Sequence, residues 1–132
     1  MNESLITGAN LPIGVAVDGQ HIYWTNEFGN GIANGTIGAA NLDGSDVNQS
    51  LITDTSKPIG VAVDGQHIYW TNFSINTIGE ANLDGSAVNE SLIATANKPY
   101  GVAVAVPVAQ VSPRRRRRLR VRRSERSARL RR

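Results

Sequence analysis

Fourteen consecutive residues occur twice in this chain. Residues 59–72, IGVAVDGQHIYWTN, repeat residues 13–26 letter for letter, 46 positions later. Aligning 2–26 with 48–72 pairs 25 positions, of which 20 are identical. A third copy opens at Asn89, where NESLIATANKPYGVAV (89–104) tracks NQSLITDTSKPIGVAV (48–63), a spacing of 41. The difference of five residues falls between Asn26 and Ala40, where the first copy carries EFGNGIANGTIG (27–38) and the second FSINTIG (73–79). Self-similarity at this period marks stacked units, each too small to bury its own apolar face, with insertions carried on loops.

Within a unit the pattern is that of short strands. Ile59, Val61 and Val63 alternate with Gly60 and Ala62, the period of two of a strand. Asp64-Gly65 then punctuates, and HIYWT (67–71) follows, rich in β-branched and aromatic residues. Asp-Gly between such runs predicts a hairpin in which Gly takes a positive φ. Further strands are expected over 77–83, closed by Asp84-Gly85, and over 91–94, ahead of a Lys-Pro step that starts the next unit. Four strands in about 42 residues, with no helical period before residue 112, predict an all-β fold built of propeller blades. The blades are expected at about 11–56 and 57–98, with partial units at 1–10 and 99–106.

The blocks IYWTN (22–26 and 68–72), each with a downstream Leu-Asp-Gly-Ser and a Pro-x-Gly-Val-Ala-Val, carry a resemblance to YWTD repeats. These are the class B repeats of the low-density-lipoprotein receptor family, which form six-bladed, TolB-like propellers. The resemblance covers residues 1–104 and extends to bacterial propellers of the NHL and virginiamycin B lyase groups. It implies a binding or scaffold role in a secreted or cell-surface parent protein, or, in the lyase-like group, an enzyme. Where the motif ends in Asp, this chain has Asn26 and Asn72, which keep an acceptor and lose the charge.

Charge divides the chain in two. Residues 1–113 hold two lysines, Lys57 and Lys98, against ten acidic residues, a net of −8, while residues 114–132 hold twelve arginines and one glutamate, a net of +11. The Arg-rich stretch, 107–132, is expected to be disordered alone or locally helical near 119–130. Its run Arg114, Arg115, Arg116, Arg117 and Arg118 suits nonspecific polyanion binding, nucleic acid included. No aromatic interleaves with these arginines, so base stacking has no platform. There is no cysteine for a disulfide or thiolate site, and no apolar run approaches the roughly 18 residues of a membrane span.

Used as a ruler, the repeat also bears on both ends. Met1 aligns with Val47 and Val88, so the chain is expected to begin inside a unit, Met1 standing for an internal valine codon. After Val104 the expected Asp-Gly-Gln-His is replaced by Ala105-Val106-Pro107-Val108, which a frameshifted or truncated propeller gene would explain. Two blades leave apolar faces exposed, and three copies completing six blades is one expected outcome, aggregation the other.

Candidate chemistry is sparse. His21 and His67 occupy equivalent strand starts and are expected to be structural, not metal ligands. Asp18, Asp64, Asp43 and Asp84 belong to hairpin turns, and no Asp-x-Asp-x-Asp-Gly calcium loop or Gly-x-Ser-x-Gly elbow is present. The expectation is a protein without catalytic residues, metal or cofactor. Trp24 and Trp70 are expected to pack between blades with their N–H groups bonded. Loops joining strands two and three, and strand four to the next unit, should share one face, where Glu27, Phe28, Asn30, Asn34 and Phe73 are the candidate ligand contacts.

Overall fold

The computed structural model describes residues 1–28 and 34–105. Asn30, Val106, the basic segment and the run Arg114–118 lie outside the described residues. Eight strands form two four-stranded antiparallel sheets in the meander order expected of propeller blades. Blade one comprises β1 (Pro12–Val17), β2 (His21–Asn26), β3 (Gly35–Asn41) and β4 (Asn48–Thr55). Blade two comprises β5 (Pro58–Val63), β6 (His67–Asn72), β7 (Thr77–Asn82) and β8 (Asn89–Ile93). The predicted strands all form, within two residues of their expected starts. Among the described residues no helix is long and apolar enough to cross a membrane.

The aspartate of the first turn does the turning. Asp18 Oδ1 accepts the N–H groups of Gln20 (2.8 Å) and His21 (2.7 Å), and Asp64 does the same for Gln66 and His67. These backbone bonds hold the Asp64 carboxyl below the usual carboxylate range. The expectation of a positive φ at the following glycine is corrected here. Left-handed glycines stand at Gly44 and Gly85, in the second turns, and not at Gly19 or Gly65. With the side chain capping the turn, the Asp18 and Asp64 hairpins need no left-handed residue.

The indoles of Trp24 and Trp70 are buried by a cross-strand partner that sequence reading overlooked. Trp24 stands opposite Gly38 and Trp70 opposite Gly79 in the ladder. A Cβ at either glycine would lie 2.3 Å from the indole Cε2, so the missing side chain is the seat of the ring. The two sheets then stack, β5 against β1 and β2. A shared core runs through Tyr23, Ile37, Ile52, Val61, Ile68 and Trp70. Each buried aliphatic residue contributes on the order of 1.5–3 kcal/mol from apolar burial.

Stacking is fastened by the threonine and asparagine that close the IYWTN block. Thr25 Oγ1 accepts from Gly14 N at 2.8 Å and donates to Ile59 O, on the next blade's inner strand, at 3.0 Å. Thr71 repeats this with Gly60 N (2.8 Å) and Tyr100 O (3.1 Å). Residues 99–105 therefore lie on blade two as β5 lies on blade one. The approach is close enough that a Cβ at Gly14 would meet Ile59 O at 2.4 Å, and one at Gly60 would meet Tyr100 O at 2.4 Å.

Asn26 and Asn72 sit fully buried at the centre of this joint. Each amide oxygen accepts the N–H of the preceding connection, Asn10 at 2.9 Å and Ser56 at 3.0 Å. Each Nδ2 donates into a cluster of acceptors: Asn72 to Thr77 Oγ1, Glu90 O and Glu90 Oε2, and Asn26 to Thr36 Oγ1, Gln49 O and Gln49 Oε1. The position requires a donor. A carboxylate there would present oxygen to oxygen, which is why Asn serves in this chain.

Candidate functional site

The connections β2–β3 and β4–β5 emerge on one face, as the strand order dictates. Three residues at equivalent places before a proline, Leu11, Lys57 and Lys98, adopt positive φ there (48°, 53° and 44°). Such a conformation costs an ordinary residue about 1–2 kcal/mol, so the joint that enforces it must be well determined. The N–H groups just past β2 and β6 close onto these residues, Glu27 N donating to Leu11 O at 3.3 Å and Phe73 N to Lys57 O at 3.2 Å. The two segments thereby hold their side chains against each other.

The result is a row that crosses both blades. Glu27 Oε1 lies 3.4 Å from Lys57 Nζ. The same ammonium stands 5.2 Å above the centre of the Phe73 ring. Phe73 meets Tyr100 edge-on at 5.2 Å between ring centres. Tyr100, 64 % exposed, ends the row. The lysine is held between a carboxylate and an aromatic face, an arrangement whose cation–π part is worth about 0.5–1 kcal/mol at an exposed site. The ammonium thus rests between the Glu27 carboxylate and the Phe73 ring, with the Lys57 side chain still 41 % exposed.

Of the residues expected on this face, Glu27 and Phe73 are brought together through Lys57. Phe28 is exposed beside Glu27, and Asn34 is exposed where the chain enters β3, outside the row. Asn30 lies outside the described residues. Lys57 and Tyr100 were not anticipated. Lys57 follows from its place one residue before the β5 proline, a signal present in the sequence. Tyr100 stands where the other units have Ile13 and Ile59, the one substitution in the recurring Pro-Ile-Gly-Val-Ala-Val block.

The opposite face carries the hairpin turns. A groove of about 380 Å³ opens there between the blades, lined by His21, Tyr23, Asp46, Leu51, Leu83 and Asp84 among others. Its polar groups are engaged: Asn41 Nδ2 donates to Asp46 at 2.9 Å, and Ser86 donates from both its hydroxyl and its N–H to Asp84. These bonds to Ser86 lower the Asp84 pKa, as those to Ser45 lower that of Asp43. Tyr23 is pushed up to about 12 by burial and then by the Asp18 charge, so its hydroxyl stays protonated. His67 Nε2 is 3.8 Å from Glu80, while His21 faces no such acid, since the residue matching Glu80 is Ala39. Among the described residues, no three His, Asp or Glu side chains are grouped to hold a metal ion.

No family model matches the chain, and no curated protein matches it. Among solved structures, a chain in the crystal structure of a nidogen/laminin complex is similar to it over 74 % of its length, at 30 % identity and a TM-score of 0.62. The present chain spans 36 % of that one, about a third. That likeness, together with the two stacked meander sheets, supports a propeller-like all-β fold, here in the form of partial propeller blades.

Proposed function

We propose that this chain is a non-catalytic binding or scaffold module of YWTD type, part of a larger six-bladed propeller, and that it meets a protein partner through the row Glu27–Lys57–Phe73–Tyr100 with Phe28 beside it. The observation that carries this reading is the row on the loop face in which Lys57 stands over Phe73 and Phe73 meets the exposed Tyr100 edge-on. Aromatic side chains fixed in place are what anchor protein interfaces, because they bring contact area at small entropic cost. The five-residue difference between the two units falls in the stretch of sequence that follows Glu27 and Phe28, where a partner's selectivity would be set. The similar solved chain comes from a complex of two proteins, which agrees with such a role.

A panel of purified extracellular-matrix proteins, laminin among them, tests the proposal by surface-plasmon binding. A saturable partner should be found whose affinity falls at least about tenfold in a Lys57→Ala/Phe73→Ala/Tyr100→Ala variant. Binding that is undiminished in that variant would overturn the assignment of the face. The charge division favours a second reading, polyanion binding through Arg114–118. A steep loss of DNA affinity with added salt, abolished by removing residues 107–132, would support it.

A further inference from the structure

The same hexapeptide, Pro-Ile-Gly-Val-Ala-Val, has opposite surroundings in β1 and β5. Ile59 and Val61 are each 8 % exposed, whereas their counterparts Ile13 and Val15 are 52 % and 67 % exposed. At the other end, β4 buries Ile52, while its counterpart in β8, Ile93, is exposed along with Leu92. Each end of the stack thus shows the surface that the middle of the stack covers.

Each end is also partly capped by a copy of what would cover it. Residues 2–6, NESLI, are identical to β8, NESLI (89–93), and residues 99–104, PYGVAV, differ from β1 at one position. The N-terminal segment lies on blade one as β4 lies on blade two. A Cβ at Gly44 would meet Leu5 O at 2.5 Å, as one at Gly85 would meet Leu51 O at 2.6 Å. Asn10 N donates to Asn26 as Ser56 N donates to Asn72. The Thr71 clamp, the Asn26 acceptor and the close approaches at Gly44 and Gly60 thus each have a counterpart in the joint between the two blades.

We infer that copies of this chain join head to tail by exchanging the two caps. β8 and Asn97 of one copy take the places of residues 2–6 and Asn10 on the next copy's blade one. The β1 strand of that next copy takes the place of residues 99–104, so that its Ile13 O receives the Thr71 hydroxyl in place of Tyr100 O. The backbone-directed hydrogen bonds named here are conserved, the edge contact between Phe73 and Tyr100 is given up, and the gain is burial of Ile13, Val15, Leu92 and Ile93. The interface is heterologous, using a different surface on each partner, and continues the blade-on-blade joint already present within the chain.

Sedimentation equilibrium of the nuclease-treated full chain, over a range of concentrations in about 0.15 M salt, tests this. The wild type should associate reversibly. Val15→Lys and Leu92→Lys, each on a surface exposed in the free chain, should each weaken association at least about tenfold. An equimolar mixture of the two should restore a dimer, because each variant retains the end that the other lacks. Ile13→Lys replaces Val15→Lys if the latter fails to fold. A wild type that stays monomeric, variants that associate unchanged, or a mixture that remains monomeric would each overturn the exchange.

Discussion

Blade one and blade two share the whole IYWTN block, yet the block is completed differently in each. In blade one, Gln49 supplies both halves of an amide. Its Oε1 accepts from Trp24 Nε1 at 3.0 Å and Asn26 Nδ2 at 3.2 Å, and its Nε2 donates to Thr7 O at 3.0 Å. In blade two the equivalent residue is Glu90, which accepts from Asn72 Nδ2 at 3.0 Å and has nothing to donate. Trp70 Nε1 and Glu90 Oε1 are both left buried without a hydrogen bond. Burial raises the Glu90 pKa, the Asn72 amide and then the nearby Trp70 N–H oppose it by favouring the charged form, and the Asp54 charge adds a smaller rise. A repeated motif is thus not a self-sufficient unit. Its stability depends on one residue in the fourth strand that the motif does not include.

The hardest break of this comparison is a carboxylate at the motif's last position. Asn72→Asp replaces the donor facing Thr77 Oγ1, Glu90 O and Glu90 Oε2 with an acceptor. Thr77 cannot turn to help, because its hydroxyl already donates to Glu90 O at 2.7 Å. The expected loss is about 3 kcal/mol or more, from buried groups left unpaired and a charge set against a charge. Asn26→Asp should cost less, about 2 kcal/mol, since Gln49 is neutral and sets no second carboxylate against the new one. Urea unfolding followed by tryptophan fluorescence measures both, and equal costs would remove Gln49 and Glu90 from the explanation.

A second pair of changes should show no difference between blades. Gly38→Ala and Gly79→Ala each drive a Cβ into an indole held at the same 2.3 Å, and each should cost about 1–3 kcal/mol by overpacking. Thr71→Val asks the same of the stacking joint. It leaves Gly60 N and Tyr100 O without their shared hydroxyl, at about 1–3 kcal/mol, and should detach residues 99–105 before the sheets melt. Hydrogen exchange at Gly60 N reads that release, and protection unchanged from wild type would argue against the clamp.

The repeat made the architecture legible because its period and its alternation of apolar residues are local signals. Strand positions and the turn role of Asp18 and Asp64 followed from them. The partners of the motif were not legible, since they come from elsewhere in the stack. Gly79 falls within the expected third strand, but the alternation of apolar residues does not set it, or Gly38, opposite a tryptophan. Thr25 and Asn26 looked like an ending until their hydrogen bonds crossed to the next unit. The candidate face was half legible: Glu27 and Phe73 stand in a segment of variable length, and the place of Lys57 before a proline is visible in the sequence, but the left-handed backbone that turns it toward them is not.

The finest test exchanges the differing residues themselves. Glu90→Gln gives blade two the amide of blade one, offering Trp70 an acceptor without charge and supplying a donor where Gln49 has one. It should stabilise the fold by about 1 kcal/mol near neutral pH, and Gln49→Glu should destabilise it by a similar amount. The pH dependence separates this from a general packing effect. The folded-state pKa of Glu90 is raised, so the folded chain holds that proton more tightly than the unfolded one. Its contribution therefore favours folding below the unfolded carboxyl pKa and turns unfavourable as pH rises through the folded value. Asp43, Asp64 and Asp84 have lowered pKa values and act in the opposite sense, stabilising above the unfolded pKa and losing that effect as pH falls. They are common to both proteins and cancel in the difference. The advantage of Glu90→Gln over wild type should thus be largest at neutral pH and shrink on acidification. An advantage that stays constant between pH 4 and pH 8, on either side of the usual glutamate range, would mean that the carboxylate charge is not what distinguishes the two blades.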